Sequence, residues 1–186
     1  MNETIKTILN RRSTRVFKED SIDESLVNEI IEAGLAAPSG HNMQPWHFTV
    51  ITNKELLNLL SDETKEACKD FDDDFIRKVA NNEKFNVFYN APVGVIVSGD
   101  KNAMTVESDV AAASENMLLA AESFGLGGCW IGFITLLFRS EKAGEFKKKL
   151  NIPEEFTPMH GLVFGHKKVE MSKAPERKVE RVNFLK

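Results

Sequence analysis

Two stretches of this sequence combine side chains that could bind an anion and a heteroaromatic ring. The first is Arg11-Arg12-Ser13-Thr14-Arg15, with three guanidinium groups and two hydroxyls within five residues. The planar fork of arginine matches a phosphate or a ring edge rich in carbonyl oxygens, and hydroxyls add neutral donors. Short basic runs are also common at solvated helix ends, and charge alone favours that alternative.

The second stretch is AAPSGHNMQPWHF, residues 36 to 48. Its Asn42 and Gln44 can each donate and accept hydrogen bonds, which is the pattern needed to read a ring edge that carries both C=O and N–H groups. The Pro-Trp-His-Phe run beside them supplies an aromatic wall. A structured turn whose amides bond to the local backbone is the alternative.

Two further stretches are weaker candidates for a site. GLGGCWIG, residues 125 to 132, has four glycines. Glycines let the backbone approach a flat ligand, but a helix C-cap that runs into a tight turn has the same composition. APERKVERV, residues 174 to 182, has Arg177, Lys178 and Arg181 after Pro175, and on its own it is typical of a charged terminus.

Composition limits the class of protein. With 186 residues, 42% hydrophobic and 28% charged, the chain is predicted to form a single domain over residues 1–186. A net charge of -4 gives no general attraction to nucleic acid. Cys68 and Cys129 stand far apart with no CxxC or His cluster, so neither a disulfide framework nor a metal site is indicated, and a cytoplasmic location is expected. No segment approaches the roughly 20 apolar residues that span a bilayer, so no membrane contact is expected.

The periodicity of apolar residues predicts helices around these stretches. A short amphipathic helix is expected before Arg11, and a second helix, ended by Pro38, has capping-box spacing at Ser21 and Glu24. Asn53 is expected to cap a third helix. The Ala-rich residues 106–124 predict a central buried helix closed by Gly125, and a charged helix is expected near 140–150.

Three apolar segments predict strands, at residues 47–52, 92–99 and 160–166. The continuous apolar run of the second predicts burial on both faces in the middle of a sheet. The acidic segment 61–90 is expected to hold one or two helices and a variable loop. Helices and strands alternate without regular βαβ spacing, which favours an α+β sheet with helices packed around it.

Taken in order, these segments resemble the nitroreductase family of FMN-dependent oxidoreductases over nearly the full chain. The resemblance is carried by RRSTRVF, APSGHNMQPWHF, APVGVIV, SENMLLAAESFGLGGCWIGF, and HGLVFGH with its basic tail. The combination RRS-x-R-x-F with PS-x-x-N-x-QPW-x-F is the specific part. The resemblance implies a nitroreductase-like α+β fold, with a mostly antiparallel central sheet flanked by helices, in an intertwined homodimer with FMN at its interface.

The resemblance also implies a role for each candidate residue. The FMN phosphate and ribityl chain would be bound by Arg11, Arg12, Ser13 and Arg177, and Arg15 would lie by the pyrimidine edge, where a cation stabilises the anionic reduced flavin. The partner protomer would contribute Pro38, Ser39, Gly40 and Asn42, with Gln44 framing Asn42. The backbone near flavin N5 would come from Trp130, Ile131 and Gly132. His41 is a candidate contact to the acceptor, whereas His160 and His166 are interpreted as structural.

The implied activity is electron transfer from NAD(P)H through flavin N5 to a nitro, quinone or similar small-molecule acceptor by a ping-pong mechanism. No side-chain nucleophile is required, and Ser39 lacks a G-x-S-x-G context. Alternatives are a dehalogenase or flavin-fragmenting variant of the family, a flavin-binding or sensing protein without turnover, and a phosphate-binding or other anion-binding module.

Overall fold

A computed structural model describes residues 1–169 and 174–185. Its four strands form one sheet in the order β1-β2-β4-β3, and every neighbouring pair is antiparallel. The strands are β1 (Trp46–Ile51), β2 (Val93–Asp100), β3 (Leu126–Ile131) and β4 (Phe156–His166). This sheet and the helices around it confirm the predicted α+β class.

Helices cover both faces of the sheet. The α-helices are α1 (Glu3–Asn10), α2 (Glu24–Leu35), α3 (Lys54–Glu66), α4 (Asp74–Ala80), α5 (Val106–Ser123) and α6 (Ala143–Lys149). Short 3-10 helices lie at Gly40–Asn42, Phe133–Arg139 and Val179–Arg181. On one face α2 and α5 bury an apolar cluster, and on the other α3, α6 and Phe133–Arg139 bury a second one. None of the helices in the described residues is both long and apolar enough to cross a membrane.

Strand β2 has the central position that its apolar run predicts. Val95 and Val97 belong to the apolar cluster under α5, and Ile96 between them belongs to the cluster on the opposite face. All three have a relative exposure of 0%. Because successive side chains of a strand alternate between faces, a strand buried on both faces must be apolar throughout.

The Ala-rich segment forms the longest helix, as predicted. Along α5 the residues Val110, Ala113, Met117 and Ala121 are buried against the sheet and α2. The helix is followed by Gly125 with a φ of 74°, whose N–H donates to the carbonyl of Glu122. Glycine adopts this left-handed conformation without a steric penalty, so the predicted C-terminal stop is confirmed.

The predicted cap of α3 and the predicted helices of the acidic segment are confirmed, whereas the start of α6 differs from its prediction. The Asn53 side chain accepts from the N–H of Leu56 at 2.7 Å and caps α3. The acidic segment holds the end of α3 and all of α4, so it contains two helices followed by turns. Helix α6 starts slightly later than its predicted bounds.

Three predictions are wrong in detail. Helix α2 begins at Glu24 with Asp23 as its N-cap and no side-chain cap, so the capping box of Ser21 and Glu24 does not form. Beyond Gly125 the glycine-rich stretch is no turn, because it continues as the edge strand β3. Strand β4 begins at Phe156, before the predicted 160, and the 3-10 helix at Phe133–Arg139 was not predicted.

Glycines in β3 let other segments approach the strand closely. An added Cβ at Gly127 would lie 2.7 Å from three atoms of the Thr14 side chain. Thr14 has little room to move, since its N–H donates to the carbonyl of Gly128 at 2.9 Å and its side chain is buried. The backbone of residues 11–15 therefore depends on the absence of a side chain at Gly127.

Replacing Gly127 by Ala is expected to lower the free energy of unfolding by about 1 to 2 kcal/mol, as overpacking typically does. Gly144→Ala is the matched control, because a Cβ at Gly144 meets nothing within 4 Å and the residue lies in α6. That control is expected to gain about 0.4 to 1 kcal/mol. Urea unfolding of the two variants measures both, and equal stabilities would contradict the account of Gly127.

Candidate functional site

The arginine-rich segment 11–15 lies along the edge strand β3. Ser13 forms a parallel bridge with Gly128, and the neighbouring Thr14 N–H donates to the Gly128 carbonyl. The segment thus covers the middle of the free edge of β3 at Gly128. Two of the four candidate stretches, at 11–15 and 125–132, are therefore brought together by the fold.

The arginine cluster, residues 11–15, lies next to the buried thiol of Cys129 on β3. Burial raises the pKa of the Cys129 thiol, while the charge of Arg15, a hydrogen bond from Ser13 and the charge of Arg11 partly oppose that rise. The net direction keeps the thiol protonated at neutral pH, so it is not an activated nucleophile. Ser13 and Arg15 are close enough to act on the same buried sulfur.

The cluster has an excess of positive charge. Arg11 Nε is 3.1 Å from Glu115 Oε1 on α5, and both side chains are part-exposed. One terminal nitrogen of Arg12 donates to the carbonyls of Leu9 and Arg11, each at 2.7 Å. Among the ion pairs of the described residues, Arg11 is paired with Glu115, whereas Arg12 and Arg15 have no carboxylate partner.

The Nε of Arg12 is buried and has no hydrogen-bond partner among the described residues. A buried charged donor without an acceptor costs free energy, since it loses its hydration and gains nothing in exchange. An anionic oxygen at this point would satisfy the donor. The cluster thus fits a phosphate group by charge, by hydroxyl content and by this unpaired N–H.

The loop of residues 38–44 has an unusual backbone held by its own side chains. His41, Asn42 and Gln44 have φ values of 52°, 55° and 48°, which side-chain-bearing residues rarely adopt. Ser39 Oγ accepts from the N–H of Gln44 at 2.9 Å, and Gln44 Nε2 donates to Asn42 Oδ1 at 3.2 Å. The contact by which Gln44 frames Asn42 is therefore present. Pro38, His41 and both amide side chains are exposed.

The loop and the arginine cluster contact different turns of α5. The loop reaches Asp109 through the N–H of Gly40, whereas Arg11 reaches Glu115. These two positions are about 9 Å apart along the helix axis at 1.5 Å per residue. In the part of the chain that is described, no hydrogen bond joins the loop directly to residues 11–15.

Arg177 lies in the exposed stretch 174–185. Its carbonyl accepts from the N–H of Val179, at the start of a short 3-10 helix. No ion pair or hydrogen bond from its guanidinium to residues 11–15 occurs among the described residues. That Arg11 and Arg177 bind the same phosphate therefore stays a prediction.

The end of β3 presents an aromatic surface built on a buried histidine. The rings of Trp130 and His160 are 3.9 Å apart at an interplanar angle of 23°. Ser114 Oγ donates to the Val110 carbonyl, so the hydrogen bond of 2.7 Å between Ser114 Oγ and His160 Nε2 is donated by the imidazole. Burial lowers the pKa of His160 to about 4, which keeps the ring neutral at pH 7.

This stack places Trp130 next to an open stretch of backbone. Ile131 is buried beside it, and Gly132 is exposed with nothing within 4 Å of an added Cβ. A flat ligand can therefore approach the backbone at Gly132 without a steric barrier. The sequence identified the three residues 130–132 but gave no sign of Ser114 as the support of His160.

A cavity of about 610 Å³ opens beside Arg15. Its wall includes Tyr89 and Asn90, two consecutive residues with φ of 53° and 54°. Arg15, Lys54 and Lys168 are the cations of the lining, and Glu19 is its carboxylate. Sequence reasoning missed this cavity because the segments that line it are far apart in the chain.

Comparisons with known proteins identify the family and the fold of this chain. A model of the nitroreductase family matches residues 8–166. A nitroreductase with bound FMN from Bacteroides fragilis is 32% identical with a TM-score of 0.94, and the match covers 100% of both chains. The NADPH-flavin oxidoreductase of Vibrio harveyi is 31% identical over 89% of this chain and 66% of its own length. The FMN reductase [NAD(P)H] of Bacillus subtilis is 28% identical over 98% of this chain and 73% of its own.

The protein has an α+β fold with one antiparallel sheet, and a cationic segment lies on the edge strand of that sheet. The chain belongs to the nitroreductase family. The predicted family and the predicted fold are thus both confirmed.

Proposed function

We propose that this protein is an FMN-dependent oxidoreductase that passes electrons from NAD(P)H to a nitro, quinone or similar acceptor by a ping-pong mechanism. The observation that carries the proposal is the cationic cluster on β3, with the buried and unpaired Nε of Arg12. The relatives support it, since one is a nitroreductase with bound FMN and others are an NADPH-flavin oxidoreductase and an FMN reductase.

In this proposal the residues of the chain bind and orient the cofactor. Arg11, Arg12 and Ser13 hold the phosphate and ribityl chain, with Arg177 joining from the tail. Arg15 would lie by the pyrimidine edge, where its positive charge would stabilise negative charge on the ring. FMN, when bound, supplies the hydride-accepting and hydride-donating centre, so no side-chain nucleophile is needed.

In the proposal the backbone at Trp130, Ile131 and Gly132 would face the flavin ring near N5. Gly132 is exposed and unobstructed, and Trp130 next to it in the chain stacks on His160. His41, exposed on the loop, is the candidate contact to the acceptor. Donor and acceptor would then use the same open face in turn, which is the structural basis for ping-pong kinetics.

We propose a homodimer in which the loop 38–44 of one protomer contacts the cofactor of the other. Pro38, Ser39, Gly40 and Asn42 are the residues involved, framed by Gln44. Support comes from apolar side chains that one protomer leaves uncovered, since Ile5, Ile8 and Leu9 on α1 are 45%, 45% and 54% exposed. In the C-terminal stretch Val179 and Phe184 are exposed as well. A partner subunit would cover such a surface.

We further propose that residues 1–186 act as one FMN-binding domain in the cytoplasm. The two apolar clusters pack on opposite faces of the same sheet, which supports a single domain. Cys68 and Cys129 are both free and buried, as is usual for proteins of reducing compartments.

The visible spectrum of the purified protein tests the proposal. Flavin absorbance is expected after loading with FMN, and it should bleach when NADPH or NADH is added without oxygen. Adding a quinone or a nitroaromatic compound should then restore the absorbance over many turnovers.

Each failure has a distinct meaning. A protein that binds FMN but is not bleached by either nicotinamide would contradict the oxidoreductase and support a flavin-binding or sensing protein. A protein that takes up no FMN would leave only the phosphate-binding or anion-binding module. Bleaching that only a halogenated acceptor reverses would favour the dehalogenase variant.

A further inference from the structure

The first turn of α5 holds a buried carboxylate that the proposed reaction does not use. Asp109 is 6% exposed. Its oxygens accept the N–H of Gly40 at 3.2 and 3.4 Å, and Oδ2 accepts the hydroxyl of Thr105 at 2.9 Å. Within residues 1–169 and 174–185 no Lys or Arg pairs with it. We infer that Asp109 is a positioning residue, which fixes the loop 38–44 for its contact with FMN; the inference rests on the proposed function.

The position of Asp109 explains how the charge is tolerated. The N-terminus of a helix stabilises a nearby anion, and Asp109 lies in the first turns of α5. Thr105 is the N-cap residue, yet its hydroxyl donates to Asp109 and does not cap the helix. The helix N-terminus and the Thr105 hydroxyl thus both stabilise the carboxylate, and the carboxylate accepts the N–H of Gly40.

Gly40 is fitted closely to this carboxylate. An added Cβ at Gly40 would lie 2.3 Å from Thr105 Oγ1, so no larger residue fits without displacing the hydroxyl. The contact joins the middle of the loop directly to α5. Among the described residues it is the hydrogen bond that connects residues 38–44 to another element, since the others lie within the loop.

The loop needs such an anchor because its backbone is strained. Positive φ values at His41, Asn42 and Gln44 disfavour this conformation for the free chain, and surrounding contacts must offset that penalty. A loop that presents Asn42 to a ring edge must also hold it in one place, because a loosely held amide loses its binding geometry. Asp109 supplies the constraint from α5, and Gln44 supplies the one from within the loop.

The test measures FMN binding by Asp109→Asn, which keeps the volume and removes the charge. The dissociation constant, from quenching of FMN fluorescence, is expected to rise about fivefold, with normal uptake at saturation. Thr105→Val, which removes the hydroxyl at an exposed position, should raise the dissociation constant less than Asp109→Asn does. Glu122→Gln is the matched control: its carboxylate, at the other end of α5, pairs with Lys167, and this variant should bind FMN normally.

A mixing experiment separates positioning from general destabilisation. Dimers are reassembled from Asp109→Asn and Arg11→Ala protomers. If the loop acts across the interface, a mixed dimer has one site with both defects and one with none, so random mixing gives about a quarter of the sites wild-type affinity. A general loss of stability would restore no site.

The outcomes are distinguishable from failure of the proposed function. If the wild type takes up no FMN, the proposed function fails. If the wild type binds FMN and Asp109→Asn binds it equally well, the inference about Asp109 is overturned while the proposed function stands. A mixture in which no site regains wild-type affinity also overturns the inference.

Discussion

Replacing Arg12 by Lys is expected to weaken FMN binding about tenfold to a hundredfold. Lysine keeps the positive charge but has a methylene group where arginine has Nε, the buried donor that lacks a partner in the described chain. A lysine ammonium would also have to contact the Leu9 and Arg11 carbonyls and the phosphate from a single nitrogen, whereas the guanidinium can donate from separate nitrogens. A hydrogen bond to a charged group contributes about 1.5 to 3 kcal/mol, which corresponds to this range of affinity.

Arg77→Lys is the control for Arg12→Lys. Arg77 is on α4, pairs with Asp74, and is part of an exposed surface. Its replacement changes the same residue type without touching β3, so the FMN dissociation constant should stay unchanged. Titration of apoprotein with FMN measures both variants. Equal affinity of wild type and Arg12→Lys would remove Arg12 from the phosphate site.

The role of the tail is tested by the same titration with Arg177→Ala. In the proposal its guanidinium contacts the phosphate, so the dissociation constant should rise. A normal constant for Arg177→Ala together with a raised one for Arg12→Lys would restrict the phosphate site to the segment on β3. Measuring at two salt concentrations adds a check, since screening weakens exposed charges more than buried ones.

The pattern of apolar residues predicted those helices and strands of this fold that are buried. The length and continuous apolar character of the run 92–99 predicted a strand buried on both faces, and β2 has that place in the sheet. The Ala-rich segment before Gly125 predicted a buried helix, and it forms α5. The glycine-rich stretch after it was misread, because Gly127 and Gly128 are small to admit Thr14 and Leu118, and that need arises from tertiary contacts.

The candidate site was predictable as a set of residue types but not as a geometry. The segments 11–15 and 125–132 were both identified, yet only the fold shows that Ser13 bridges Gly128. Asp109 was missed since it lies in a helix whose sequence signal is apolar burial. The pairing of Arg11 with Glu115 joins residues 104 positions apart, which no local pattern reports.

His160 makes the stability of this protein depend on pH. Burial lowers its pKa from the ordinary 6.5 to about 4. As the pH falls below 6.5, the unfolded chain binds a proton that the folded protein refuses until about pH 4. Stability is therefore complete above pH 6.5, decreases as the pH falls towards 4, and decreases no further from this group below that value.

The expected loss from His160 between pH 7 and pH 4 is about 3 kcal/mol, at 1.36 kcal/mol per pKa unit. Attraction between an imidazolium and the face of Trp130 would reduce this figure, since cation–π contacts contribute about 0.5 to 2 kcal/mol. His160→Gln tests the prediction. Its amide can donate to Ser114 as the imidazole does, and it does not titrate.

Urea unfolding at several pH values between 7 and 4 provides the measurement. Carboxylates also titrate in this range, so the informative quantity is the free energy of unfolding of wild type minus that of His160→Gln, which should become less positive or more negative as the pH falls. His47→Gln is the control, because burial also lowers the pKa of His47 but this side chain is only half-buried and the charge of Glu155 opposes the shift. It should remove a smaller part of the pH dependence. Parallel curves for wild type and His160→Gln would show that His160 titrates normally, and the stack that supports Trp130 would then have to tolerate a charged ring.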